Sequence, residues 1–167
     1  NVDAGTINPI EHGDTFLCED GTETDMDIGS YEKFLGVDMG KDNFVTMGKI
    51  YKTVIDRERA LGYGGKCVEA IPHVRDEIID RYKNAAKENN SDITIVEIGG
   101  TIGDYQNVMF MEAARTMKIQ HPKDVITIVV SYVPIPGTIG EMKSKPTQNA
   151  IRQLNGYGLH ADFVIAR

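Results

Sequence analysis

Three aliphatic runs separated by helical patterns constrain this chain most. Residues 92–98, 125–133 and 161–166 are rich in Ile and Val and read as strands. Residues 105–119 and 146–156, between them, read as helices. Strand, helix, strand, helix, strand in series predicts a mostly parallel sheet flanked by helices, since a parallel crossover needs a helix-length connection. Runs without polar alternation predict strands buried on both faces. The chain has 167 residues, 41% of them hydrophobic and 26% charged. A chain of that size can bury ~70% of its unfolded surface in one core. The expectation is an α/β fold, with residues 1–167 forming part of one domain. The sheet looks cut at both ends: few strong strands precede residue 92, and the last runs to the final residue. Asn1 in place of Met marks the start as a processing point or a missing piece.

The first 91 residues are punctuated by capping and turn residues. Residues 14–18 read as a short strand, and Glu19-Asp20-Gly21 as a turn. A helix is predicted from about Asp27 to Leu35, stopped by Gly36, and another from Thr46 to Ala60. Ile50, Val54 and Leu61 fall roughly on one face of the latter. Residues 67–71 suggest a short strand. Pro72 suits the first turn of a helix whose buried face is Val74, Ile78, Ile79, Tyr82 and Ala86. His73 reads as structural.

Composition excludes several functions. The net charge of −7 disfavours a non-specific nucleic-acid binder, which needs a basic face. No apolar run approaches the ~20 residues of a membrane span. Cys18 and Cys67 carry neither disulfide-framework nor metal-ligand spacing, and a cytoplasmic setting is expected. Met109, Met111 and Met117 read as core filler. There is no phosphate loop of the G-x-x-x-x-G-K-[ST] kind.

Three segments fall where open α/β sheets bind ligands, beyond the carboxyl ends of strands. Glu97 ends an Ile/Val run and is followed by Gly99, Gly100, Thr101, Ile102, Gly103 and Asp104. A carboxylate there is costly unless paired or metal-bound, and the glycines admit a close ligand. The alternative is a solvated strand end with a tight turn. Lys143-Ser144-Lys145-Pro146-Thr147-Gln148 sets two lysines and free amides at a helix start, an anion site or an ordinary polar helix entry. Asp25 and Asp27 stand two apart at another helix start, as Mg²⁺ ligands or as a helix cap. The residues alone thus point to an α/β phosphate or nucleotide site.

Taken in order, further motifs make the pattern specific. They are Glu19 to Gly29 (EDGTETDMDIG), Gly48-Lys49-Ile50-Tyr51, Ile71-Pro72-His73, Val96 to Asp104 (VEIGGTIGD) and Lys143 to Gln148 (KSKPTQ). With Asn1 to Thr6 (NVDAGT) and Asp162 to Arg167 (DFVIAR), the chain resembles the synthetase (amidoligase) domain of the CTP synthase family along its whole length. The resemblance implies a P-loop synthetase fold like that of dethiobiotin synthetase. It implies that ATP phosphorylates the 4-oxygen of UTP and that ammonia then displaces phosphate to give CTP. By the same resemblance Asp27 and Glu97 hold Mg²⁺, and Asp27 also meets ATP. Lys143, Ser144, Lys145, Pro146, Thr147 and Gln148 take the triphosphate of UTP or of inhibitory CTP. Gly103, Asp104, Tyr105 and Gln106 meet the nucleoside, His12 lies near the reacting centre, and Arg167 lies near the adenine. The implied partners are a glutaminase domain of the same full-length chain, which supplies ammonia, and further subunits of a homotetramer.

Departures from the family pattern are also visible. The family's glycine-rich phosphate loop would precede Asn1, so this stretch is expected to be inactive alone. Gln106 stands where the family has glutamate, Glu69 where it has glutamine, and Asn149 where it has histidine. The exchange at 69 and 106 preserves combined hydrogen-bonding capacity if both face one base pocket. Two other readings remain: another amidoligase of the same fold, and a non-catalytic subunit that only binds UTP or CTP.

Overall fold

Side-chain caps set the starts of the first three helices. The computed structural model describes Val2, residues 8–137 and residues 140–167, without the His12 side chain. The Asn1–Thr6 motif therefore lies outside the described residues, apart from Val2. The chain divides into two compact units, Asn1–Glu97 and Ile98–Arg167.

In the first unit, α1 (Pro9–His12) is a single turn capped by the Asn8 side chain. β1 (Phe16–Leu17) and β2 (Glu23–Thr24) pair antiparallel around the expected turn, where Gly21 has φ +82°. The left-handed conformation explains glycine at that place. α2 (Met26–Leu35) begins at Asp25, whose carboxylate accepts from the Asp27 N–H, and ends at left-handed Gly36. α3 (Met47–Arg59) begins where the Thr46 hydroxyl accepts from the Lys49 N–H. An irregular turn, Ala70–Val74, holds a cis Ile71–Pro72 peptide and leads into α4 (Arg75–Glu88). His73 is structural here: its Nδ1 accepts from the Glu69 N–H, and its ring stands edge-on to Tyr63.

Ile50, Val54, Val74, Ile78 and Ile79 are buried in this unit. A charged tie joins α3 to α4 beside them. Glu77 is only 5% exposed and meets Arg57 at 3.1 Å and Arg81 at 2.9 Å. Arg81 also donates to Thr53 on α3 at 3.1 Å. Burying a carboxylate is tolerable because both guanidiniums satisfy it.

In the second unit, a 3₁₀ turn (Tyr105–Asn107) opens α5 (Val108–Gln120). β3 (Ile128–Ser131), α6 (Lys145–Gly156) and β4 (Phe163–Ala166) follow. β3 and β4 pair parallel, Ile128 opposite Phe163 and Ser131 opposite Ala166. Met111, Val129, Leu154 and Leu159 form the core of this unit, with Ile98, Ile102 and Ala161 against it.

The α/β class and the helices agree with the sequence reading, but the sheet is smaller. The described residues hold one antiparallel and one parallel pair, each of two strands, in place of a broad parallel sheet. Residues 92–98 join no ladder, and Ile93 and Ile95 are 83% and 91% exposed. Composition favours extended backbone there, but a strand is completed only by a neighbour, and no described segment pairs with it. β3 alternates exposed and buried, and β4 is exposed along its length, so neither is buried on both faces. Residues 67–71 are not a strand, because the turn into α4 begins at Ala70. Leu61 lies past the end of α3 with φ 58° and is exposed, so it does not share the face of Ile50 and Val54.

Glu77→Ala should lower stability by about 1–3 kcal/mol, the worth of charge-assisted bonds discounted for half-exposed arginines. A urea titration followed by helical circular dichroism reads this as an earlier midpoint, and an unmoved midpoint would reduce the tie to decoration.

Candidate functional site

In the first unit the candidate residues are carboxylates. Thr24 is fully buried, and its hydroxyl lies 3.3 Å from the Phe16 carbonyl and 3.1 Å from the Asp25 carbonyl. That anchors the junction between β2 and α2. The next residue, Asp25, accepts from the Asp27 N–H at 3.2 Å. The helix entry thus fixes where Asp27 leaves the backbone. Burial raises the proton affinity of Asp25, and the Asp27 charge raises it further. Glu97 is raised in the same way, first by desolvation, then by Asp27 and Asp25. The electrostatics therefore couple all three carboxylates, and the described residues give none of them an ion-pair partner.

This donor set fits a hard dication. Oxygen ligands that repel one another and lack a cation gain most from Mg²⁺, which keeps several waters and needs only one or two carboxylates. It is not an all-protein cage: among the described residues no group of three or more His, Cys, Asp or Glu is set to hold a metal. His12 ends α1, and its side chain lies outside the described residues.

The second unit holds two candidate segments. The loop from Gly99 to Asn107 folds on itself. The Asp104 carboxylate accepts from the Thr101 N–H at 2.9 Å, and the Asn107 amide donates to the Gly99 carbonyl. Gly100 has φ +85°, and a Cβ there would come within 2.8 Å of the Asn107 amide nitrogen and 2.9 Å of the Asp104 carboxylate. Gly103 has φ +104° and faces the Gln153 side chain of α6. Both glycines are therefore demanded by geometry. Tyr105 and Gln106 project into solvent at the turn, Tyr105 being 95% exposed.

The other segment runs into α6, which starts at Lys145, one residue ahead of Pro146. Most of its polar groups already have partners. Lys143 pairs with Glu141 at 2.9 Å, Gln148 donates to the Ser144 hydroxyl at 3.0 Å, and Thr147 accepts from Ser131 of β3 at 2.8 Å. Lys145 is exposed and carries no ion pair among the described residues. The segment offers an ammonium and helix-start amides to an anion. Arg167 follows β4, and its backbone bonds Ser131 and Val133.

Gly103 to Gln106, Lys143 to Gln148 and Arg167 all belong to the second unit, whereas Asp27, Glu97, His12 and Glu69 belong to the first. The sequence reading singled out neither Glu141 nor Asn107. Glu141 carries no local signal, being one acid among many exposed ones. Asn107 falls inside the helix predicted over residues 105–119, where an asparagine carries no special signal.

Comparison with known proteins bears on this arrangement. The sequence matches the family described as CTP synthase N-terminus over residues 1–167. It is 46% identical over 168 residues to the CTP synthase of Saccharolobus solfataricus, covering all of this chain and 31% of that protein. It is 48% identical to the CTP synthase of Pyrobaculum calidifontis and 47% identical to that of Methanococcus maripaludis, over 167 residues each. In both cases the match covers at least 99% of this chain. The chain thus spans about a third of the length of these relatives, 31% in each case. With Asp27, Glu97 and the Lys143–Gln148 segment inside a match that runs from end to end, the chain belongs to the CTP synthase N-terminal family.

Proposed function

We propose that this chain is the synthetase part of a CTP synthase, which makes CTP from UTP, ATP and ammonia. The observation that carries this reading is the unbroken match over residues 1–167. ATP phosphorylates the 4-oxygen of UTP, and ammonia, released from glutamine in a separate glutaminase domain, displaces that phosphate. The P-loop synthetase fold, a cytoplasmic location and a homotetramer belong to the same reading.

Asp27 and Glu97 would hold Mg²⁺, with Asp27 also meeting ATP. Bound there, the ion offsets charge that builds on the transferring phosphoryl group. The mutual repulsion of Asp25, Asp27 and Glu97 supports this assignment, since a cation relieves it. Lys145 and the amides at the start of α6 bind the triphosphate of UTP or CTP. Lys143 joins them by exchanging Glu141 for phosphate. Tyr105 and Gln106, with Gly103 and Asp104, receive the nucleoside. Arg167 is assigned to the adenine side of ATP and His12 to the reacting centre, both on family resemblance.

The test is to place this chain in the Saccharolobus solfataricus enzyme in place of the matching segment. The chimera should form CTP from UTP, ATP and ammonia. Asp27→Asn and Glu97→Gln should each lower the rate by more than about 10-fold, as lost ligands do. A folded chimera that binds UTP yet makes no CTP would favour the non-catalytic subunit instead.

Lys145→Ala should raise the KM for UTP roughly 10-fold, the worth of a hydrogen bond to a charged group, with a smaller change in kcat. An unchanged KM would remove Lys145 from the triphosphate site.

Asp25→Asn keeps an acceptor at the helix cap and removes a charge whose ionisation is disfavoured in the fold. Because the folded pKa is raised, stability is lost as pH rises through it, so the variant should melt higher than the parent at pH 7 without Mg²⁺. A lower melting temperature would show that the charge stabilises the helix entry.

A further inference from the structure

Asn107 occupies the residue just before α5, where an asparagine ordinarily caps the helix by accepting an N–H from the first turn. It makes no such bond. Its amide turns back and donates to the Gly99 carbonyl, eight residues earlier. Only the NH₂ group can do this, because a carbonyl accepts and never donates. Asp104 behaves alike: it precedes the 3₁₀ turn, caps nothing there, and accepts from the Thr101 N–H at 2.9 Å. Both side chains close over Gly100, which has no room for a Cβ. Two potential helix caps are thus given up to hold one loop shut.

We propose that Asn107 is a positioning residue that fixes the Gly99–Asp104 loop in the shape through which Gly103, Tyr105 and Gln106 recognise a pyrimidine nucleoside. The inference rests on the reading of these residues as the nucleoside site. One carboxylate oxygen of Asp104 is committed to the same loop through the Thr101 N–H. The closed loop presents the exposed Tyr105 and Gln106 at the start of α5.

The test titrates the whole chain calorimetrically with UTP and, separately, with inorganic triphosphate. Triphosphate reports on the Lys143–Gln148 segment alone, whereas UTP needs the loop as well. Asn107→Asp keeps the shape, removes the donor and sets a second carboxylate beside Asp104. Asn107→Ala removes the staple without adding charge. Both should weaken UTP about 2–10-fold, the worth of one hydrogen bond, and leave triphosphate affinity within twofold. Equal losses for both ligands would mean general destabilisation, and unchanged UTP affinity would mean an idle staple; either overturns the proposal. If the parent chain binds UTP no better than triphosphate, or Lys145→Ala changes neither, the nucleoside-site reading itself fails and the proposal with it.

Discussion

Asp162 carries the second unit. Its carboxylate takes the Thr127 N–H at 2.6 Å and the Lys118 ammonium at 2.7 Å, and Lys118 also donates to the Val125 carbonyl at 2.6 Å. The backbone amides of Asp162 and Phe163 bond the Thr127 carbonyl as well. α5, the entry to β3 and the entry to β4 therefore meet at one side chain. From that point the ladder has only one register, Ile128 against Phe163, and a slip by one residue would turn every side chain over. The register carries Ser131 to the far end, where its hydroxyl holds Thr147 at the start of α6. The position of the proposed phosphate-binding segment is thus inherited, step by step, from a carboxylate at the opposite end of the strand. The partners hold the Asp162 carboxyl below its usual range, the Lys118 bond contributing most.

Within the first unit, charge is handled in two opposite ways. Glu77 is almost fully buried and is answered by two arginines, so its charge serves cohesion. Asp25 and Glu97 have raised proton affinity, through burial and the charge of Asp27, and no described residue forms an ion pair with any of the three. Uncompensated charge at a helix entry supports the proposal that a cation binds there. The same contrast separates the lysines near α6: Lys143 rests on Glu141, whereas Lys145 stands open.

Much of this was legible in the sequence because it is local. Asp25, Thr46, Gly36 and the Lys143–Pro146 entry announce themselves through cap and turn chemistry that needs no distant partner. The sheet was not legible to the same degree. Residues 92–98 and β4 have strand composition, but composition cannot say which neighbour pairs with them or which face is covered. The candidate site divides along the same line. Carboxylates and lysines were visible as residue types, whereas Asn107 and Glu141 act through contacts that only the folded loop creates. The sequence reading places Asn107 inside a helix, and nothing in it warns that the amide turns back to the Gly99 carbonyl.

The exposed ladder of β4 has a colloidal consequence. Phe163, Val164 and Ile165 are 45–59% exposed, and among the described residues only β3 pairs with β4, so its other edge has no backbone partner there. Such an edge is a template on which any extended apolar segment can register, including residues 92–98 of another molecule. The aromatic and β-branched residues that encode the strand therefore also set an upper bound on how concentrated this stretch of chain can stay in free solution.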